Sequence, residues 1–293
     1  MIFGSFLNVC IHRMPRGLSV VAPRSACPSC NQPIAAYDNI PVVSWLLLRG
    51  KCRHCKVAIS ARYAAVELLT GLLFGLSYMA AKGMPAEAIK YSVFCFLLVG
   101  LVFTDAETRL LPDLLTKPGI ALGVLFSLLV RLEGPVETFL RANVNWRIVS
   151  LANSIAGALF GSAFLLAIAL LYQAVRGVEG MGRGDVKLMA LVGAFLGMKL
   201  TLFVLVLGTM VGSIFGGLLI LAVWRKRLAR RRRRVSNEPA SIARAKAWSS
   251  AKLIYRNFEI PFGVFLGVAA LVAVFFGDSL IDRYMRWSMG LYQ

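Results

Sequence analysis

Charge is what this sequence has least of. Only 16% of its 293 residues are Asp, Glu, Lys or Arg, against about 25% in ordinary globular chains. Hydrophobic residues make up 58%, and the mean hydropathy is +0.71. That excludes an ordinary soluble domain. Acidic charge is scarcer still: 14 Asp and Glu stand against 33 Lys and Arg, for a net charge of +19. No G-x-G-x-x-G follows a strand pattern, which excludes a Rossmann-type cofactor fold. The absence of a βαβ pattern argues against thioredoxin-like redox chemistry for the CxxC pairs. Met1–Ile11 is too short, and too abruptly basic at Arg13, to be a cleaved secretory signal.

What is present is a series of long apolar runs. A bilayer core of roughly 30 Å takes about 20 helical residues, and candidates lie at 62–81, 88–104, 114–132, 148–175, 186–198, 200–224 and 260–281. The run 186–198 is short and broken by glycine. The expected fold is an all-α polytopic membrane bundle of about seven or eight transmembrane helices, with a small cytoplasmic zinc-knuckle module near the N-terminus. Residues 1–11 read as the end of a truncated first transmembrane helix and 12–61 as the cysteine module. The bundle takes 62–224, a basic cytoplasmic loop 225–257, and the last helix and tail 258–293. Alternation of the spans puts 12–61, 105–113, 176–185 and 225–259 on one side, with most of the Lys and Arg. The positive-inside rule makes that side the cytoplasm.

In so apolar a chain an ionisable group at a membrane edge needs a reason. Asp105 closes one apolar run and Asp185 opens another, directly after Gly182-Arg183-Gly184. The topology places both on the same side at the same depth. Two carboxylates sharing a proton and a water form the arrangement that hydrolyses peptides in aspartic proteases. Helix capping is the alternative and suits Asp185. It does not explain Asp105, at a helix C-terminus where the macrodipole disfavours negative charge.

Cys27-Pro-Ser-Cys30 and Cys52-Arg-His-Cys55 form an internal repeat, C-x-x-C-x-x-x-I. Two such turns supply four thiolates to one tetrahedral ion, and zinc suits that set. On the reducing side of a membrane a disulfide is disfavoured. His54 is expected to be solvated, and Cys10 and Cys95 to be small core residues. The run Arg230–Arg234 lacks the interleaved aromatics of a nucleic-acid surface, so it is read as lying on anionic lipid, with no nucleic-acid partner.

Six segments together resemble the type IV prepilin peptidases, and the resemblance covers nearly the whole chain. They are Gly4-Ser-Phe-Leu-Asn-Val with Arg13-Met-Pro; the paired CxxC module; Arg62-Tyr63…Glu67-Leu-Leu-Thr-Gly71; Asp105…Leu111-Pro112-Asp113; Gly180-Met-Gly-Arg-Gly-Asp185-Val-Lys187-Leu; and Ile260-Pro-Phe-Gly263. The resemblance implies a bacterial inner-membrane enzyme of pilus or type II secretion systems. It would cleave a prepilin or pseudopilin leader after Gly, on the cytoplasmic side, with Asp105 and Asp185 as the catalytic pair. It further implies N-methylation of the new amine from S-adenosylmethionine, and Glu67, an acid inside a span, is the candidate near that cofactor. Gly182 and Gly184 would let the substrate strand approach. Lys187 would flank Asp185 or touch substrate, Arg183 would be a solvated loop charge, and Asp113 would cap the next helix. A peptidase without the second activity, a non-enzymatic zinc-bearing scaffold and a proton-coupled transporter are the competing readings. The scaffold has no use for two edge aspartates, and a transporter's acids belong near the midplane.

Overall fold

The computed structural model describes residues 1–139, 144–178, 181–234, 239–256 and 261–290. Gly180 and Ile260, from two of the motifs above, lie outside the described residues, as does Asn257. The α-helices among these residues are α1 (Ile2–Arg13), α2 (Val43–Leu47), α3 (Ala61–Ala80), α4 (Pro85–Thr108) and α5 (Asp113–Phe126). They continue with α6 (Val136–Phe139), α7 (Trp146–Arg176), α8 (Arg183–Arg234), α9 (Ala240–Arg256) and α10 (Phe262–Ser288). Two isolated β-bridges occur in the cysteine module. Local chemistry sets the ends. Ser60 caps α3 by accepting from the Arg62 amide, and Asn145 caps α7 by accepting from the Arg147 amide. Pro85 opens α4, where its missing N–H costs nothing.

Among the described residues, α3, α4, α7, α8 and α10 are long and apolar enough to cross a membrane. Large apolar side chains also cover the outside of the bundle, such as Leu72, Leu76, Leu159, Leu170 and Phe276. Water would reject such a surface and a bilayer accepts it, so this is a multi-pass membrane protein. With both limbs of α8 and the shorter α1 and α5, the helical segments agree with the sequence-based expectation.

α8 consists of two helical limbs joined at a break. Gly197 has φ 74° and ψ 177°, a region essentially reserved for glycine. Asp185, on the first limb, lies beside Gly263 at the start of α10. Leu200, just past the break, lies against Gly277 far along α10, and Gly208 and Gly212 return to Leu266 and Phe265. The chain therefore doubles back at Gly197. The first limb, at 1.5 Å per residue, is roughly 21 Å long and does not span a bilayer alone. It is clasped by α7: a Cβ on Gly193 would fall 2.1 Å from the Gly157 carbonyl oxygen, and one on Gly161 2.6 Å from that of Met189. Small residues of this kind let membrane helices touch backbone to backbone. The core between the limb, α4 and α10 holds Phe94, Leu98, Leu101, Leu188, Leu191 and Leu266, all fully buried. Phe94 and Phe195 stack at 4.7 Å.

The basic stretch expected as a loop at 225–257 is helical over 225–234 and 240–256. α8 runs on to Arg234, and α9 folds back onto it through Ala243, Ala247 and Ala251, which are buried. Trp224 stands edge-on to Trp248. Arg, Lys and Ala are all strong helix formers, so the charge run does not interrupt the helix.

Candidate active site and metal centre

Asp105 and Asp185 come together. Asp105 sits in the last turn of α4, 5% exposed, and Asp185 in the first turn of α8, 8% exposed. α10 brings a third component, because its first turn abuts both. A Cβ placed on Gly263 would lie 2.9 Å from Asp105 Oδ2 and 3.1 Å from Asp185 Oδ1. Both carboxylates thus converge on one point, where only hydrogens stand. The Val264 amide donates to Asp105 Oδ2 at 3.0 Å. Neither aspartate is an N-cap: Asp185 lies inside the helix, its amide donating to the Gly182 carbonyl, and Asp105 is at the opposite end of its own.

The neighbouring motif residues divide into those that face the pair and those that support it. Gly182 is open beside Asp185, with Asp185 Oδ2 4.0 Å from where its Cβ would be. At Gly184 the missing side chain makes room for Leu111, whose Cβ would stand 3.0 Å from an added Cβ. This packing ties the α4–α5 loop to the start of α8. Lys187 turns to Asp113 on α5, and Asp113 also pairs with Lys117. Asp113 is the first residue of α5, following the Pro112 N-cap, so it holds α5 to α8 by charge rather than by capping. Arg183 is exposed, as expected. Sequence reasoning missed the roles of Gly263 and Val264. The signal was there, since Pro261-Phe-Gly263 lies in a recognised segment, but nothing local says what it approaches.

The second cluster lies in 12–61. The four thiols of Cys27, Cys30, Cys52 and Cys55 are all within 4.8 Å of one another, with Cys27 and Cys55 sulfurs 3.7 Å apart. A tetrahedral site with metal–sulfur bonds of about 2.3 Å has sulfur–sulfur edges of about 3.8 Å. These residues therefore fit one ion. The sequence repeat is also a structural one, offset by 25 residues throughout. The Cys27 amide donates to Gln32 and the Cys52 amide to Val57; Asn31 and Lys56 donate back to the Cys27 and Cys52 carbonyls; Ile34 and Ile59 donate to Ser25 and Gly50. Asn31 and Lys56 share positive φ, 54° and 59°. Each knuckle aims backbone amides at its first sulfur. Those of Cys30 and Ser29 pull the Cys27 thiol down to about 6, and those of Cys55 and His54 lower Cys52. The Val57 amide favours the Cys55 thiolate, but burial and the other three sulfurs outweigh it and push Cys55 up to about 11. Four crowded sulfurs in water resist carrying four negative charges; a cation among them removes that resistance. His54 is exposed and outside the cluster, and Cys10 and Cys95 are buried in the apolar core.

The module is fastened to the bundle at one buried acid. Glu67, 8% exposed on α3, accepts at Oε2 from the Val42 amide at 2.8 Å. Val42 has φ 63°, an outlier for a β-branched residue. Trp45, three residues on, donates to the Ile59 carbonyl and packs under Gly50 between the knuckles. Nearby, Arg62 pairs with Glu107 on α4 and lies over the Tyr63 ring, and Asn8 of α1 donates to the Tyr63 carbonyl.

Comparison with known proteins follows the same division. Residues 1–81, holding the four clustered cysteines and Glu67, match the Bacterial Peptidase A24 N-terminal domain. Residues 92–217, holding both aspartates, match the Type IV leader peptidase family. The chain is 34% identical to a prepilin leader peptidase/N-methyltransferase of Aeromonas salmonicida, over 97% of this chain and 91% of the relative. It is 32% identical to that of Pseudomonas aeruginosa, over 98% and 91%, and 36% identical to that of Neisseria gonorrhoeae, over 73% and 77%. No solved structure matches the chain.

Proposed function

Because this chain belongs to the type IV leader peptidase family, we propose that it removes the leader of type IV prepilins or pseudopilins and then methylates the new N-terminus. The observation that carries the reading is the convergence of two buried carboxylates, from α4 and α8, on the Gly263 α-carbon. In this reading one of Asp105 and Asp185 is ionised and takes a proton from water, which attacks the scissile carbonyl. The other is protonated and gives its proton to the carbonyl oxygen. Collapse breaks the C–N bond, and the leaving amine takes up a proton. Gly182 leaves room for an extended substrate beside Asp185, while Gly184, Lys187 and Asp113 hold the walls. The positive charge of the module and of the α8–α9 hairpin supports a cytoplasmic position for this end of the bundle, and the reading takes the membrane to be a bacterial inner membrane. There the hairpin lies on anionic lipid.

Zinc, when bound, supplies the charge that lets Cys27, Cys30, Cys52 and Cys55 coexist as thiolates, and so fixes the module. S-adenosylmethionine, when bound, supplies the methyl group. Glu67 contributes to the second activity by anchoring Val42, and with it the module, to α3. The test is processing of a co-expressed prepilin in membranes, read as a gel shift and by mass of the mature N-terminus. Asp105→Asn and Asp185→Asn should each leave the prepilin uncut while the enzyme still inserts and holds its zinc. Near wild-type processing by either variant would overturn the reading.

A further inference from the structure

Two carboxylates that share a catalytic water are chemically equivalent until their surroundings differ, and here they differ on one side only. The first-turn amides of a helix have no partner within the helix. At the start of α10, which is capped by Pro261 with no side-chain bond, the Val264 amide finds its partner in Asp105 Oδ2. Among the described residues, no backbone amide donates to the carboxylate of Asp185. An N–H directed at a carboxylate favours the charged form, and this one comes from a helix end beside two nearly buried carboxylates.

We propose that the start of α10 is the positioning element of the dyad. In this assignment the Val264 amide holds Asp105 as the ionised base, Asp185 is left as the proton donor, and Gly263 keeps clear the space between them. The inference rests on the dyad reading above. The step then has a direction. A water proton goes to Asp105 as the oxygen attacks the peptide carbon, and the proton of Asp185 goes to the carbonyl oxygen. When the C–N bond breaks, the amine takes the proton from Asp105, and the diol returns one to Asp185. Most of the other charged groups at this end of the bundle are engaged elsewhere. Glu107, on its own helix, is paired with Arg62 of α3, and Asp113 of α5 with Lys187 and Lys117. Arg13, at the end of α1, is bonded to the Ser19 and Pro23 carbonyls. α10 has no charged residue before Asp278. Arg109, one turn further on at the end of α4, is a cation that acts on Asp105 in the same sense as the amide, and Asp185 is its like-charged neighbour.

The test removes one N–H. Cell-free synthesis with the α-hydroxy analogue of valine at position 264 replaces the amide by an ester and leaves helix geometry and side chain in place. Val264→Ala, which keeps the N–H, is the control. The readout is the pH profile of kcat/KM for prepilin cleavage in liposomes of fixed composition. The expected result is a plateau within about threefold of wild type and an acidic limb moved up by about one pH unit, a tenfold loss on that limb. The alkaline limb and the alanine control should be unchanged. If the alkaline limb moves instead, Asp105 is the acid and the assignment is reversed. An unmoved profile in the ester, or loss of activity at every pH, would mean that the amide does not set the protonation of the pair. None of these outcomes touches the dyad itself, which stands or falls on Asp105→Asn and Asp185→Asn.

Discussion

The two halves of this molecule reach precision by opposite means. The cysteine module has little to bury: most of 17–60 is exposed, and its order rests on two short knuckles, a few backbone bonds and four sulfurs. The aspartate pair stands on helices packed over much of their length, where backbone groups away from the ends and breaks are satisfied within the helix. One centre is assembled by a ligand, the other by a scaffold. A ligand-assembled centre can be lost in one step and regained, whereas a scaffold-assembled one is disturbed only by changes that reach the scaffold.

The largest effects should come from the scaffold-held centre. Asp105→Asn and Asp185→Asn should lower cleavage by at least about 10³-fold, near the upper part of the range for general acid–base groups, while metal analysis still finds one zinc per chain. A zinc-free Asp105→Asn enzyme would break the contrast, because it would tie the two centres into one folding unit. Next in size is Cys52→Ser. Three thiols cannot close a tetrahedral S4 site, so the variant should lose its zinc and its N-methylation, yet keep cleavage within about tenfold of wild type. Retained zinc would remove the four-thiolate centre, and loss of cleavage equal to that of Asp105→Asn would show that the module builds the aspartate site.

The link between the halves gives a smaller effect. Glu67→Ala leaves the Val42 amide without its acceptor, at a cost of about 1–3 kcal/mol for a buried group. Zinc should stay bound while the methylated fraction falls severalfold and cleavage changes little. Equal loss of both activities would instead place Glu67 in the packing of α3. Smallest is the effect of changing Arg230–Arg234 to Gln. Binding of the hairpin to anionic vesicles should weaken by about 1 kcal/mol for each charge near the surface, with no change of cleavage in neutral detergent. Loss of cleavage in that detergent would make the hairpin a substrate-binding element.

Much of this was legible in the sequence because it is local. The expected spans 62–81 and 148–175 fall almost on α3 and α7, since long apolar runs leave few alternatives. The repeat C-x-x-C-x-x-x-I carried the hydrogen-bond pattern of the knuckles, down to the residue that closes each one. A glycine-broken run at 186–198 pointed to Gly197 without saying that the chain turns back there. What was not legible is long-range. Val264 and Asp105 are 159 positions apart, and no pattern in either segment names the other. Lys187 stands two residues from Asp185, yet its partner is Asp113, because successive helical residues point in different directions. Glu67 looked like an acid in search of a ligand; its oxygen is occupied by a backbone amide from a module 25 residues away in sequence.

The reversal of α8 makes its first limb a ruler. The limb is clamped at its far end, where Gly193 lies on Gly157 and Gly197 turns the chain, and it carries Asp185 near its free end. The depth and bearing of that carboxylate are thus counted in residues from the clamp. One residue inserted between Val186 and Val192 would advance Asp185 by 1.5 Å and swing it by about 100°, away from Gly263 and Asp105. Substitutions along the limb can be absorbed by repacking, but a change of length cannot.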